Sequence, residues 1–334
     1  MWPLNPLGAR GHETRGLVAL QENNMEDSPS HDSQSGKDEE ILIMPTVENT
    51  CAVVVTYFPD DDVVSRLKRI QKQLPSVIII DNASDEHCLL VLRGFSGRGS
   101  VRLVENSDNE GVGKALNQGA SIALAEGFSW VLTLDQDTLI SEDIFDTLTQ
   151  VYDESGRRSP LLGSNYMEIS SKRQIVHCDS TDRRGFQEQQ TVITSGMLVS
   201  LGLFGRMGGF REDYFIDSVD HEYCLRARAH GFPILISCEV LMWQTIGRPR
   251  ADGKRVLVFD HPPIRKYYMA RNTVVTLRDY FTREQVWALR QVVRLAVELI
   301  SIMLFEKDKW NKGYAFCQGI VDGIRNKMGR TEKI

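Results

Sequence analysis

The stretch from Trp130 to Asp137 reads Trp-Val-Leu-Thr-Leu-Asp-Gln-Asp, and it decides the fold. Its first five residues are apolar or β-branched, which is typical of a strand that is covered on both faces of a parallel sheet. The run then ends in two carboxylates separated by one amide. Because ligands of open α/β sheets bind beyond the carboxyl ends of the strands, this stretch predicts a buried strand that carries Asp135 and Asp137 to a binding site.

Three similar apolar runs precede this one, and helical patterns separate them. The runs are Cys51–Tyr57, Val77–Asp81 and Val101–Val104. Between the first two, apolar residues recur every three or four positions until Pro75, which ends the predicted helix. Successive strand and helix units predict an α/β fold with a doubly wound, mostly parallel sheet flanked by helices.

The remainder of the chain divides by composition. Residues 1–48 are rich in Ser, Asp, Glu, Asn and Gly and have no apolar periodicity, which predicts a disordered N-terminal extension. Residues 49–260 form the predicted α/β domain, and residues 261–334 form a predicted helical C-terminal extension. Short strands are expected at 161–166, 175–178 and 192–195, and a helix at 219–230.

Composition excludes several classes of protein. The net charge of −6 over 334 residues gives no basic field for nucleic acid. The six cysteines and seven histidines form no close ligand pair, so we expect reduced thiols, no disulfide and no zinc site. No apolar run reaches the length of a membrane-spanning helix, which predicts a cytoplasmic or peripheral protein.

The Asp-Gln-Asp motif suits a divalent cation. Two carboxylates are what Mg²⁺ or Mn²⁺ needs when diphosphate oxygens and water complete the coordination. The same pattern alone is also typical of a solvated turn, and its place after a buried strand favours the metal site. A second rim segment, Asp81-Asn82, offers hydrogen bonds to a base and a ribose, or simply forms a turn.

Two further segments add candidate chemistry. Gly111-Val-Gly113-Lys114 opens a helix, which suits phosphate or sugar contact. Leu116 interrupts the dinucleotide fingerprint there, so hydride transfer is disfavoured. Downstream, the acidic segment from Phe215 to Arg226 enters a helix; its acids either cap that helix or include a general base, for which Asp220 is the candidate.

In order along the chain, these motifs resemble the family 2 inverting glycosyltransferases of the GT-A fold. Asp-Gln-Asp followed by Thr138, then Thr194-Ser195-Gly196 and Phe-Ile-Asp-x-Val-Asp-x-Glu, is similar to the rhamnosyltransferase branch. The likeness continues through Lys266-Tyr-Tyr-Met-Ala-Arg271-Asn272. It implies dTDP-L-rhamnose as the donor and a hydroxyl of a saccharide or lipid-linked saccharide as the acceptor.

The resemblance also implies roles by position. Asp220 is implied as the catalytic base, and Asp137 with Asp135 as the ligands of Mg²⁺ or Mn²⁺. The implied donor-binding residues are Thr56, Tyr57, Asp81, Asn82, Asn109, Lys114, Asp135 and Gln136. The implied residues of the sugar and acceptor pocket are Thr194, Ser195, Gly196, Asp217, Glu222, Tyr268 and Arg271.

One position departs from the family. Gln244 stands where the family usually has the His of His-x-x-Gly, which predicts weaker ion binding or an ion held by carboxylates and phosphate alone. Alternatives within and outside the class stay open: a UDP-hexose or UDP-galactofuranose donor, or a non-catalytic protein that binds nucleotide sugars. The amphipathic stretch Val286–Phe305 predicts either packing on the core or peripheral contact with a membrane.

Overall fold

The computed structural model describes residues 43–97, 99–169, 171–178, 185–244 and 261–331. Strands and helices alternate through the first half, as the apolar runs predict. The strands are β1 (Thr50–Thr56), β2 (Val77–Asp81), β3 (Val101–Glu105), β4 (Trp130–Asp135), β5 (Leu139–Ile140), β6 (Leu161–Glu168), β7 (Arg173–Gln174), β8 (Phe186–Gln189), β9 (Met197–Ser200) and β10 (Ile234–Gln244). The helices are α1 (Val63–Gln71), α2 (Glu86–Ser96), α3 (Val112–Ala125), α4 (Ile144–Glu154), α5 (Leu201–Met207), α6 (Val219–Ala229), α7 (Pro263–Tyr280), α8 (Gln285–Phe305) and α9 (Lys309–Ile324).

The strands of the described residues form one sheet in the order β3-β2-β1-β4-β9-β6-β10-β5, with β7 beside β6 and β8 beside β10. The first four strands in this order run parallel to one another. β9 is antiparallel to both of its neighbours, so the second half of the sheet is mixed. The predicted α/β class, with a mostly parallel sheet in its first half and helices around it, is confirmed.

The sheet is buried on both faces, and β1 shows how. Its residues Ala52 and Val54 belong to one apolar cluster, together with side chains of α1, α2 and α4. Cys51 and Val53 point the other way and belong to a second cluster, with side chains of α3, α5 and α6. Because successive strand residues face opposite sides, a continuous apolar run is what a doubly covered strand requires.

The parallel register brings polar strand ends together. Thr56 is the partner of Asp81 on β2, and Val55 is the partner of Asp135 on β4. The carboxyl ends of β1, β2 and β4 therefore meet at one edge of the sheet. This edge is where the sequence predicts the ligand site.

Two predicted strands are wrong in position. The strand expected at 192–195 instead lies at β9, because residues 194–196 form a turn in which Gly196 has a positive φ of 71°. The strand expected at 175–178 is replaced by the short β7. Antiparallel pairing with neighbouring strands fixes both positions, and local sequence does not carry that information.

The prediction of unpaired cysteines is also wrong. Cys178 and Cys238 form a disulfide with a Cα separation of 5.7 Å. They are 60 residues apart in sequence, and the pairing of β6 with β10 brings their segments together. Among the other four cysteines, Cys51 and Cys224 are buried and Cys317 is exposed.

The two ends of the described chain can be compared with the predicted domain boundaries. Residues 1–42 of the predicted extension lie outside the described residues, whereas 43–48 are placed against the domain. There the indole Nε1 of Trp130 donates to the carbonyl of Ile43 at 2.9 Å. At the other end, α7, α8 and α9 make the chain after residue 262 helical, as expected. Among the residues that the structure describes, no helix is long and apolar enough to cross a membrane.

Candidate active site

A cavity of about 660 Å³ opens at the carboxyl edge of the parallel strands. The ends of β1 and β4 line it, together with the segment from Phe215 to His221 and residues of α7 and α8. Four aspartates line it. They are Asp135, Asp137, Asp217 and Asp220.

Asp135 lies at the centre of this acidic group. Its backbone N–H donates to the Ser195 hydroxyl at 3.1 Å, and its Oδ2 accepts from Nε2 of Gln244 at 3.2 Å. Burial, and after it the negative charge of Asp137, raise the pKa of Asp135 to about 7. Burial also raises the pKa of Asp137. Packing carboxylates this closely costs free energy unless a cation compensates for their charge.

The donor set fits Mg²⁺ or Mn²⁺. Besides the two carboxylates, the side-chain oxygen of Gln244 is buried in the same cavity and has no hydrogen-bond partner. Within the described ranges, no group of three or more His, Cys, Asp or Glu side chains is close enough to enclose an ion. Hard oxygen ligands that leave several positions open suit a cation that shares its coordination with phosphate and water.

The residues at the end of β1 support the rim. Asp81 is fully buried and accepts hydrogen bonds from the hydroxyls of Thr56 at 2.8 Å and Ser84 at 2.6 Å. The Gln136 side chain bonds both backbone groups of Tyr57, at 2.6 Å to the N–H and 3.0 Å to the carbonyl. Thr56, Tyr57 and Gln136 line the cavity, whereas Asp81 lies beneath the rim.

The loop before α3 completes the predicted donor side. Asn82 donates to the Gly111 carbonyl at 3.2 Å, and the Asn109 side chain accepts from the Gly111 N–H at 3.0 Å. Gly111 has a φ of 84°, and a Cβ there would lie 2.5 Å from the carbonyl oxygen of Phe215. Asn82 and Asn109 line the cavity. Lys114 lies outside the cavity, in contrast to the expectation, and pairs at 2.7 Å with Glu110, which precedes α3.

The segment before α6 is held in a strained conformation. Phe215, Asp217 and Ser218 have positive φ angles of 66°, 64° and 61°. Such angles cost about 1 kcal/mol or more each for residues with a side chain, and they persist only where the surroundings enforce them. The segment places Asp217 and the first-turn residue Asp220 in the cavity wall. Burial raises the pKa of Asp217, and Arg265, which bonds it at 3.2 Å, opposes that rise.

Helix α7 enforces this strained segment from behind. The side-chain amide of Asn272 donates to the carbonyls of Tyr214 at 3.0 Å, Ile216 at 2.7 Å and Asp217 at 2.9 Å. The fully buried guanidinium of Arg271 donates to the Tyr214 carbonyl at 3.0 Å. These contacts connect the helical C-terminal region to the acidic wall of the cavity.

The structure therefore does not bring Arg271 or Tyr268 to the cavity, in contrast to the expectation. The period of the helix explains this: Arg265, Met269 and Thr273 recur every four residues on the side of α7 that lines the cavity. Tyr268 lies on another side, where its ring stacks on Phe215 at 5.2 Å between centroids.

Several other residues of the predicted sugar and acceptor pocket also lie outside the cavity. Thr194 lines the cavity, but Ser195 is buried beneath it and bonds the Thr138 hydroxyl at 2.6 Å. Gly196 is also buried, in the turn that precedes β9. Glu222 points away from the cavity, because it pairs with Arg226 at 2.8 Å and accepts from the Tyr280 hydroxyl at 2.9 Å.

Sequence reasoning missed two cations in the cavity wall. They are Arg265 on α7 and Arg294 on α8, and Gln291 and Glu298 flank the latter on the same side of its helix. Arg265 directly precedes the Lys266-Tyr-Tyr motif, so its place beside that motif could have identified it as a candidate. Arg294 interrupts an apolar stretch, and only the packing of α8 shows which side of that helix faces the cavity.

Comparison with known proteins agrees with this architecture. Residues 51–205 match the family model described as Glycosyl transferase family 2. The chain therefore contains a family 2 glycosyltransferase domain. It is 26% identical over 294 residues to the dTDP-rhamnosyl transferase RfbF of Shigella flexneri, which covers 84% of this chain and 97% of that protein.

Two solved structures share the fold of this glycosyltransferase. A structure of GalNAc-T7 with UDP, GalNAc and Mn²⁺ matches with a TM-score of 0.51 and 15% identity. That match covers 72% of this chain, and this chain spans about half, 51%, of GalNAc-T7. S. aureus TarS 1–349 in complex with UDP matches with a TM-score of 0.50 and 15% identity, over 86% of this chain and 94% of that structure.

Proposed function

We propose that this glycosyltransferase transfers L-rhamnose from dTDP-L-rhamnose to a hydroxyl of a saccharide or glycolipid acceptor, with inversion at the anomeric carbon. The observation that carries the proposal is the meeting of Asp135 and Asp137 with Asp220 in one cavity at the strand ends. The similarity to a dTDP-rhamnosyl transferase over almost all of that protein's length supports the choice of donor.

The donor end of the reaction is assigned to the rim of β1, β2 and β4. Tyr57, Asn82 and Asn109 offer an aromatic ring and amide groups to a base and a ribose. Asp137 and Asp135 are the proposed metal ligands, with the free oxygen of Gln244 as a third. When bound, Mg²⁺ or Mn²⁺ supplies positive charge that stabilises the departing diphosphate. Arg265 offers a second positive charge in the same wall.

The acceptor end is assigned to Asp220. Its carboxylate removes the proton from the acceptor hydroxyl as the oxygen forms a bond to the anomeric carbon. The bond from that carbon to the diphosphate oxygen breaks on the opposite face, and dTDP leaves with the electron pair. One displacement inverts the anomeric configuration. Asp217, Thr194 and Glu298 line the space in which the sugar and the acceptor would lie.

A UDP-sugar donor is the second candidate, because the structures of TarS and GalNAc-T7 that share the fold hold UDP. Turnover assays with a panel of dTDP-rhamnose, UDP-hexoses and UDP-galactofuranose distinguish the two candidate donor classes. We expect release of dTDP that requires an acceptor and increases with Mg²⁺ or Mn²⁺, together with an inverted glycosidic product by NMR. Faster turnover of a UDP-sugar would overturn the donor assignment. Nucleotide binding without turnover of any donor would instead indicate a non-catalytic binding protein.

A further inference from the structure

Helix α8 presents a long apolar stripe to solvent. The side chains at 286, 289, 293, 297, 300 and 304 recur at intervals of three and four residues, and each is 55–68% exposed. The opposite side of α8 is packed, since Ile302 forms a cluster with Ala270 of α7 and Phe316 of α9. The stripe is therefore the outer face of a packed helix and not part of its core contact.

Helix α9 carries a second stripe of the same kind. Trp310, Tyr314, Val321 and Ile324 are exposed along one side, with the exposed Cys317 between them. The opposite side of α9 packs on α7, where a Cβ at Gly319 would collide with the backbone of Tyr267. The two stripes both face away from α7. Exposed apolar surface of this extent on two neighbouring helices is typical of an interaction site.

The exposed charges around the stripes are mostly positive. Between residues 281 and 331, eight basic side chains are exposed and one acidic side chain, Asp308, is exposed. The basic residues are Arg283, Arg290, Arg294, Lys307, Lys309, Arg325, Lys327 and Arg330. The other acids of this region have partners: Glu284 with Arg228, Glu298 and Glu306 with Lys266, and Asp322 with the Tyr267 hydroxyl and with Lys327 at 3.7 Å. The whole chain, by contrast, is acidic, at −6.

We propose that the outer faces of α8 and α9 dock on an anionic lipid surface. Apolar side chains enter the headgroup boundary, and the surrounding cations meet anionic lipids. Trp310 and Tyr314 are side chains favoured at that boundary. A second copy of the chain fits less well, because a symmetric interface places like patches face to face and would bring the two sets of cations together.

The same helix connects this face to the cavity. Gln291, Arg294, Leu295 and Glu298 of α8 line the cavity, and the stripe occupies the adjoining side. Docking would place the cavity mouth beside the lipid surface. If the proposed function holds, on which this step rests, the acceptor is a saccharide linked to a membrane lipid.

Flotation of the intact protein with vesicles tests the docking. The probes are phosphatidylcholine vesicles with and without phosphatidylglycerol, at low and high salt. The test variant is Leu289→Gln with Leu304→Gln, and the matched control is Leu90→Gln with Leu124→Gln, which changes two similarly exposed leucines on α2 and α3. We expect the wild-type protein and the control to float with anionic vesicles. We expect the test variant to bind these vesicles more weakly, by about tenfold or more.

Failure of the wild-type protein to float, or equal binding by the test variant, would overturn the docking. So would a wild-type dimer in light scattering that the test variant converts to a monomer, because a second copy would then cover the face. Calorimetric binding of dTDP, measured on the same samples, keeps the two proposals apart. Binding of dTDP without flotation refutes the docking alone, and flotation without dTDP binding refutes the donor assignment alone.

Discussion

Gln244 donates from Nε2 to Oδ2 of Asp135 over 3.2 Å, and this contact joins the end of β10 to the end of β4. Its Oε1 is buried without a partner in the same cavity. The family resemblance puts a histidine at this position, whereas the amide here directs its N–H to Asp135 and leaves its oxygen without a partner. The site therefore has one orienting donor and one free acceptor beside Asp135, an arrangement that fits a cation with oxygen ligands.

Asp135→Asn is expected to stabilise the metal-free protein and to abolish its stabilisation by Mn²⁺. The carboxyl has a pKa of about 7 when folded and an ordinary value of 3.8, so folding takes up a proton between these pH values. That contribution to stability falls as the pH rises from 4 to 7. At pH 7.5 we expect the melting temperature of the metal-free variant to rise by about 3 °C or more.

Differential scanning fluorimetry with EDTA and with Mn²⁺, across pH 5 to 8, measures both effects. Asp146→Asn on the exposed side of α4 is the control. A variant that melts lower than wild type without metal, or that keeps the full Mn²⁺ shift, would contradict the assignment.

Arg265→Gln is expected to weaken donor binding. Its guanidinium lines a cavity that four aspartates otherwise make acidic, and a dianionic diphosphate needs positive charge there. We expect KM for the donor to rise about tenfold, with a smaller effect on kcat. Steady-state kinetics on Arg278→Gln, an exposed position of the same helix, supply the comparison. Equal KM values for the two variants would remove Arg265 from donor binding.

Asn272→Leu is expected to lower kcat more than it raises KM. The substitution removes the donors that hold the carbonyls of Tyr214, Ile216 and Asp217, so the strained segment in front of Asp220 relaxes. The loss of these bonds also costs about 1–3 kcal/mol of stability. Kinetics below the melting transition separate the two effects. A stability loss with unchanged kcat would show that Asn272 supports the fold without positioning the base.

Glu306→Gln is expected to destabilise the helical C-terminal region. Its buried carboxylate accepts from Lys266 at 2.6 Å and from Lys312 at 2.8 Å. Removal of that charge leaves two buried ammonium groups undercompensated, at a cost of about 3–5 kcal/mol. Urea denaturation followed by far-UV circular dichroism measures the change, with the exposed neighbour Lys307→Gln as the control. Equal midpoints for the two variants would refute the role.

The first half of the fold was predictable because burial on both faces leaves a local signal. β1, β2 and β4 are continuous apolar runs, and their polar ends meet at one edge through parallel register. The strand at β9 was misplaced, since a turn at Gly196 and pairing with β4 decide its bounds. The disulfide between Cys178 and Cys238 depends on contacts between distant segments, for which cysteine spacing carries no signal.

The site residues also divide into those that local sequence indicates and those that depend on packing. Residues that follow directly from strand ends, such as Tyr57, Asn82, Asp135 and Asp137, line the cavity. The helix residues that line the cavity could be predicted only by knowing which side of each helix faces it. Tyr268 and Arg271 bear suitable chemistry but are buried behind the strained segment, and the cavity receives Arg265 instead.

Turnover of Asp220→Asn tests the central claim most directly. The amide keeps the size and the position in the first turn of α6 but cannot remove a proton from the acceptor. We expect dTDP binding within error of wild type by calorimetry, and transfer from dTDP-rhamnose reduced about a hundredfold or more, while the exposed control Asp146→Asn stays at the wild-type rate. Unchanged turnover of Asp220→Asn would contradict its role as the base in this cavity.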